Sequence, residues 1–349
     1  MEKQERYMQR CLHLARLGEG EVAPNPMVGA VLVFNDRIIG EGYHKAWGGP
    51  HAEVNCLASI REEDKRYIAD ATLYVSLEPC AHYGKTPPCA DLIIASGIQH
   101  VVVGCTDPFS KVAGKGIEKL KAAGVAVTVG ILEHPCRLLN KRFVTFQEKK
   151  RPYILLKWVQ SADGCIAGEN HTRVAISNEY TARLVHRWRS QNSSILVGTI
   201  TALADDPELT TRLWPGKNAT RLVLDKTLRL PLSLKLFNGS QKTIVFNTIR
   251  QEEKPNLIYY KLSGNGEIAA QIMDALYNLK IQSVLVEGGT QLLQTFINDG
   301  LWDEANVITN QKMVLSNGVR APQLQQHILK QTGIVFTDVI HYYANQNNT

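Results

Sequence analysis

The feature that most limits what this chain can fold into is a repeated exchange between two periodicities. Short apolar runs of strand length alternate with stretches in which apolar residues recur every three to four positions. Such alternation selects layered α/β architectures built on a central sheet. Tyr7, Met8, Cys11, Leu12 and Ala15 keep helical spacing and are followed by Gly18 and Gly20. VGAVLVF (28–34) reads as a buried strand, Asn35-Asp36 as a turn and RIIGEGY (37–43) as the returning strand. AEVNCLASI (52–60) is expected to be helical, ATLYVSL (71–77) a strand, and CADLIIASG (89–97) a helix closed by glycine. HVVVGC (100–105) and GVAVTVG (124–130) extend the sheet, with GIEKLKAAG as the helix between them.

The charged segment QEKKRP (147–152) interrupts this pattern, after which the alternation restarts. A domain boundary is therefore expected there, giving domains 1–146 and 152–349. In the second half YILLKWV, SSILVGT, RLVLD, KTIVFN and SVLVEGG read as strands, and helices centre on 178–190, 266–279 and 290–299. The tail YYANQNNT is polar and is expected to fray. At 349 residues with 44% hydrophobic content, each half can bury an ordinary core. A net charge of +6 suits a small anionic ligand and gives no sign of a nucleic-acid-binding surface. No run approaches the 18 apolar residues of a spanning helix, and the charged N-terminus does not read as a signal peptide. Seven scattered cysteines, an odd number, suit a reducing cytoplasmic compartment, where paired cysteines serve as metal ligands more often than as disulfides.

Three elements in the first half belong together. Pro50-His51-Ala52-Glu53 precedes a helix, Glu78-Pro79-Cys80 follows a strand, and Cys89 opens another helix. One imidazole and two thiolates supply three ligands for tetrahedral zinc and leave a fourth position open for water. Glu53, two residues after the histidine, is placed to shuttle protons, an order of residues that marks zinc deaminases. The usual spacing between the cysteines in that pattern is two residues; here it is eight. A prolyl helix start at Pro87-Pro88-Cys89 can return the second thiolate to the metal after an outward loop. A redox pair is disfavoured by the same wide spacing. Upstream, Asn25 sits before Pro26 in PNPMVG, where its amide can both donate to and accept from a heterocycle edge, and His44 ends the second strand near His51.

PNPMVGAVLV, GEGYHKAWGGPHAEV and EPCAHYGKTPPCAD resemble the deaminase half of the bifunctional riboflavin-biosynthesis deaminase/reductase family. The resemblance implies a cytidine-deaminase-like three-layer α/β/α domain with zinc on His51, Cys80 and Cys89 and a proton shuttle at Glu53. It further implies that Asn25, His44, His82, Lys85 and Thr86 hold the pyrimidine and its ribose phosphate. The implied reaction is hydrolytic loss of ammonia from a diaminopyrimidinone that carries a phosphoribosylamino group.

The second half lacks a G-x-G-x-x-G fingerprint, so a classical dinucleotide fold is unsupported. Glu287-Gly288-Gly289-Thr290, between a strand and a helix, could let backbone amides approach a phosphate. Arg183, His186, Arg187 and Arg189 form a basic helical stripe of the kind that is usually a solvated face. Asp205-Asp206-Pro207 reads as the start of a loop returning to Arg212. By resemblance this half is the reductase of the same family, a dihydrofolate-reductase-like α/β domain that uses NADPH and supports a homodimer. LKWVQSADG, with Lys157, Ser161, Asp163 and Gly164, matches the family's first strand and turn. The resemblance places NADPH at Thr201, Asp205, Gly289 and Thr290, and the phosphoribosyl substrate at Lys157, Arg189, Leu209, Arg212 and Glu287. The implied chemistry is hydride transfer that opens a ribosylamino into a ribitylamino group. Three stretches depart from the family: SADG at the first turn, VITNQKMVLSNGVRAP (307–322), and HTRVAIS (171–177). In the last, the family commonly has a serine and a tryptophan, and 171–177 of this chain contains no tryptophan. Those departures keep open a reductase-like half that is only structural, and a nucleoside or RNA deaminase with an attached module is the other enzyme reading.

Overall fold

The computed structural model describes residues 2–83, 87–109 and 113–348. The chain forms two compact units, Met1–Lys150 and Arg151–Thr349. The first unit extends slightly beyond the expected boundary because a helix, Lys141–Glu148, runs into the charged segment.

In chain order the first unit comprises α1 (Lys3–Arg16), β1 (Gly29–Phe34), β2 (Arg37–Tyr43), α2 (Ala52–Ala58), β3 (Thr72–Leu77) and α3 (Cys89–Ala95). It continues through β4 (His100–Cys105), α4 (Lys115–Ala122), β5 (Ala126–Val129), α5 (Glu133–Leu139) and α6 (Lys141–Glu148). The strands order β2-β1-β3-β4-β5, with β1 antiparallel to both neighbours and β3, β4 and β5 mutually parallel. Alternate residues of β1 enter opposite cores, as the two-residue period of a strand requires. Ala30 and Leu32 pack with residues of α2, α3 and α4, whereas Val31 and Val33 pack with Tyr7, Met8, Cys11 and Leu12 of α1. The result is three layers, α/β/α. At the α2–β2 contact, a Cβ on Gly42 would lie 2.2 Å from the Cys56 nitrogen, so only glycine lets α2 settle against the strand.

The second unit comprises β6 (Tyr153–Gln160), β7 (Cys165–Ala167), α7 (Glu179–Ser190), β8 (Ser194–Gly198), α8 (Thr199–Asp205), β9 (Thr220–Leu224) and β10 (Thr243–Asn247). It continues with β11 (Glu252–Lys254), β12 (Leu257–Lys261), α9 (Ile268–Asn278), β13 (Ser283–Val286), α10 (Thr290–Asn298) and β14 (Glu304–Asn310). It ends with β15 (Val319–Arg320), β16 (His327–Val335) and β17 (Asp338–Asn345). A sheet ordered β11-β12-β10-β9-β8-β13-β6-β14-β17-β16 forms its centre. From β12 to β14 neighbouring strands run parallel, and β17 and β16 add an antiparallel edge. One sheet face buries α9 and α10, and the other buries Val185 and Trp188 of α7.

Two sequence expectations are corrected here. Tyr342, Tyr343, Ala344 and Asn345 of the tail do not fray but belong to β17, which pairs with β14 from Asp338 to Ala344 and with β16 through Asn345. Asn345 is fully buried and donates from Nδ2 to the Trp302 carbonyl at 2.9 Å, so a polar side chain does the work expected of an apolar one. Asp205 does not begin a loop but ends α8, with Asp206 capping that helix in the left-handed region at φ 39°.

Candidate active sites

In the first unit, parallel pairing of Leu77 with Cys105 brings the C-terminal ends of β3 and β4 side by side, where α/β sheets place their ligands. Cys80 leaves the end of β3, Cys89 opens α3, and His51 caps α2 with extended backbone (φ −71°, ψ 168°). Their ligating atoms lie within 4.8 Å of one another. His51 Nδ1 stands 3.6 Å from Cys80 Sγ and 3.3 Å from Cys89 Sγ. Ordinary zinc–nitrogen and zinc–sulfur bond lengths at a tetrahedral angle separate those atoms by about 3.6 Å. The donor set therefore fits zinc. The Cys89 backbone N–H donates to Cys80 Sγ at 3.3 Å. The Cys80 thiol is pushed down to about 4 by hydrogen bonding from Cys89, with His51 adding to the effect against burial. The same bond, with burial, pushes the Cys89 thiol up, and metal binding requires both thiols deprotonated.

Glu53 lies in the first turn of α2, 3% exposed, and burial raises its carboxyl above the usual range. Its Oε2 is buried with no hydrogen-bond partner, an expensive arrangement unless a bound molecule completes it. His44 packs edge-on against His51, ring centroids 5.5 Å apart. His44 Nδ1 donates to the Pro50 carbonyl at 2.9 Å, so Nε2 accepts from Asn25 Nδ2 at 3.1 Å. Burial lowers the His44 pKa and favours this neutral form. The structure thus gathers His51, Cys80, Cys89, Glu53, His44 and Asn25. His82 is exposed beside Cys80, and Lys85 and Thr86 lie outside the described residues.

Several residues that the sequence reading passed over hold this site in place. Glu78, 4% exposed, accepts backbone N–H groups of Asp107 (3.1 Å), Gly114 (3.0 Å), Gly116 (2.9 Å) and Ile117 (3.3 Å). Burial pushes the neighbouring Asp107 up to about 6. Buried Asn140 makes paired bonds with Met27, N to Oδ1 and Nδ2 to O, both at 2.8 Å, which fix the segment carrying Asn25. Glu78 stood inside the quoted motif, and a buried carboxylate preceding a ligand was the available signal. Asn140 had none.

In the second unit a cavity of about 1050 Å³ opens at the C-terminal ends of β6, β8, β9 and β13. Thr201, Asp205, Gly289 and Thr290, the expected cofactor residues, all line it, as do Lys157 and Glu287. A Cβ on Gly288 would lie 2.6 Å from Leu292 Cδ2, and one on Gly289 3.2 Å from Thr201 Oγ1. The two glycines therefore let the start of α10 lie against α8, leaving that helix's backbone N–H groups at the cavity.

Behind this wall Arg189 grips Glu287 in a two-pronged pair, Nε to Oε1 at 2.7 Å and Nη2 to Oε2 at 2.8 Å, while Lys157 approaches at 3.5 Å. Burial alone would raise the Glu287 carboxyl, but Arg189 and Lys157 outweigh it and hold it at about 2. Burial in turn lowers the Lys157 pKa. The basic stripe is therefore only in part a solvated face. His186 and Arg189, three residues apart, share the inward face of α7, and burial with nearby arginines pushes His186 down to about 4. Only Arg183 and Arg187 turn outward, over Tyr180 and Trp214. Leu209 buries its side chain in the core with left-handed backbone (φ 51°) and lines neither this cavity nor the one at Arg212. Arg212 lies on a separate concavity of about 410 Å³ with Thr210 and Trp214. Lys226 and Arg229, which the sequence reading passed over, line the large cavity beyond β9.

A three-ligand zinc cradle with a buried glutamate, joined in one chain to a strand-end cofactor cavity, defines a bifunctional zinc deaminase and reductase. Residues 1–105 match the cytidine and deoxycytidylate deaminase zinc-binding region, and residues 152–334 match the RibD C-terminal domain. The chain is 40% identical over 313 residues to riboflavin biosynthesis protein RibD of Aquifex aeolicus, covering 88% of this chain and 87% of that protein. With the Escherichia coli RibD it shares 35% over 332 residues, covering 90% and 89%. Among solved structures it is similar to a diaminohydroxyphosphoribosylaminopyrimidine deaminase/5-amino-6-(5-phosphoribosylamino)uracil reductase of Thermotoga maritima, with TM-score 0.88, 35% identity and 98% coverage of both chains. Acinetobacter baumannii RibD superposes with TM-score 0.89 at 31% identity, again over 98% of both chains. The chain belongs to the RibD family of bifunctional riboflavin biosynthesis enzymes. Its two domains are cytidine-deaminase-like and dihydrofolate-reductase-like, and its cofactors are zinc and NADPH. Among the described residues no helix is long and apolar enough to cross a membrane.

Proposed function

We propose that this chain first deaminates 2,5-diamino-6-(5-phosphoribosylamino)pyrimidin-4(3H)-one and then reduces the product's ribosyl group to ribityl. The observation that carries the first step is the orphaned Glu53 Oε2 beside the His51, Cys80 and Cys89 cradle. Zinc held there supplies the Lewis acidity that makes water nucleophilic near neutral pH. Glu53 Oε2 takes a proton from the attacking water and returns it to the departing amine, so that ammonia leaves. The Asn25 amide, aligned by His44, reads the pyrimidine edge. His82, Lys85 and Thr86 serve the ribose phosphate.

In the second domain NADPH supplies the hydride. The N-terminus of α10, with Gly289 and Thr290, takes the cofactor's diphosphate, and Thr201 and Asp205 flank it. The exposed cations Lys226 and Arg229 favour NADPH over NADH by meeting its additional phosphate. Lys157, set by Glu287 and Arg189, positions the ribosyl group, with Leu209 and Arg212 holding its phosphate arm. The exposed apolar residues Ile328, Leu329 and Ile334 on edge strand β16 support homodimerisation through this domain.

The test is incubation with the phosphoribosylated diaminopyrimidinone and NADPH, following ammonia and nucleotide oxidation separately. Ammonia without nucleotide oxidation would remove the reductase assignment, and oxidation only with pre-deaminated substrate would remove the deaminase assignment.

A further inference from the structure

The segment HTRVAIS (171–177) forms one wall of the large cavity. Ala175 presents only a methyl group there and is exposed. The chain enters this wall through two consecutive non-glycine residues in the left-handed region, Asn170 (φ 54°) and His171 (φ 62°). Each such residue carries a conformational cost, and such costs persist where surrounding contacts hold them. The contact that follows is made by Arg173. Its Nη1 donates to the Asp205 carbonyl at 3.5 Å, and its Nε stands 3.9 Å from Asp205 Oδ1. Arg173 therefore reaches across the cavity to the C-terminal end of α8, where a cation is favoured by the helix carbonyls as well as by the carboxylate.

We propose that Arg173 is a positioning residue of the reductase site, which fixes the end of α8 and holds the Asp205 carboxylate turned to the cavity as an acceptor for ligand hydroxyl groups. The inference rests on the assignment of Asp205 to the cofactor site. Asp205 is half-buried, and burial works against its charge; Arg173 and Lys157 are the cations that oppose it. Lys157 faces it from β6 and is itself engaged by Glu287, the residue after β13. The adjacent Asp206 is paired with Lys235 at 3.5 Å and adds no free cation. Arg173 is thus the counter-charge not committed to the buried network.

The test does not require turnover. In cofactor-free protein with carbon-13 carboxyl-labelled aspartate, the Asp205 resonance is assigned by its loss in Asp205→Asn. Its titration midpoint is expected to rise by roughly half a pH unit or more in Arg173→Gln, because a screened, partly exposed charge has been removed. Arg173→Lys should restore most of the shift. The acid limb of NADPH oxidation should move in the same direction, while ammonia release from the separate deaminase domain stays unchanged and reports folding. An unchanged Asp205 midpoint in Arg173→Gln, or equal midpoints in the Gln and Lys variants, overturns the inference. A normal shift without any NADPH oxidation by wild-type protein would instead overturn the reductase assignment and leave the Arg173–Asp205 coupling standing.

Discussion

The two halves concentrate their chemistry in different ways. The deaminase centre needs three ligands and one glutamate, carried on two helix starts and one strand end within 39 residues, from His51 to Cys89. The reductase cavity draws on the ends of β6, β8, β9 and β13 and on a loop, and its most strongly held charge, Glu287, is fixed by Lys157 and Arg189, 130 and 98 residues earlier. A compact site depends on a few irreplaceable atoms. A distributed one depends on a network whose failure is structural as well as chemical.

The sharpest way to break this contrast is Glu53→Gln. Deamination should fall by about 10²–10⁴-fold because the amide cannot shuttle protons, with zinc retained by elemental analysis. Reduction of pre-deaminated substrate should not change. Near-normal ammonia release would show that Glu53 is not the shuttle.

Glu287→Gln should do the opposite kind of damage. It leaves Arg189 and Lys157 buried without their counter-ion, a loss of about 3–5 kcal/mol. Unfolding followed by Trp158 and Trp188 fluorescence should shift, while the deaminase domain, assayed by ammonia release, survives. Acid probes the same network without mutation. Because the folded Glu287 carboxyl is held at about 2, below its unfolded value, its stabilisation is present above the ordinary glutamate range and is lost as pH falls towards about 2. At roughly 1.4 kcal/mol per pH unit of difference, the contribution at neutrality is about 3 kcal/mol. Denaturant midpoints of the reductase domain should therefore drop between roughly pH 5 and pH 3 in wild type, and far less in Glu287→Gln. Equal acid sensitivity in both would place the titrating group elsewhere.

The smallest effect concerns support rather than chemistry. Asn140→Ala removes two bonds to Met27 and should cost roughly 1–3 kcal/mol, raising the deaminase KM by loosening the Asn25 segment more than it lowers kcat. An unchanged KM would separate Asn140 from substrate reading.

The same contrast governs what the sequence disclosed. In the deaminase half β1, β2, β3 and β4 and the ligands His51, Cys80 and Cys89 were legible, since periodicity and motif lie close together in the chain. The burial of Arg189 was not legible because a basic stripe looks solvated until Glu287, far along the chain, is known to face it. β17 was misread because Asp338 and Asn345 are polar yet buried, each satisfied by partners that no local pattern reveals. β16 gave no strand signal because it is exposed on nearly every residue. Propensity reads short-range patterning, and tertiary pairing overrides it here.

Glu78 has a consequence for how this enzyme could be altered. Its carboxylate gathers the backbone on both sides of the segment after β4 and sits two residues before a metal ligand. The two stems it moors, at Asp107 and at Gly114 to Ile117, therefore share one anchor with the strand end that leads to Cys80. Remodelling the stems would transmit every displacement straight to Cys80. For an engineer seeking a different pyrimidine substrate, those stems are the place to leave alone.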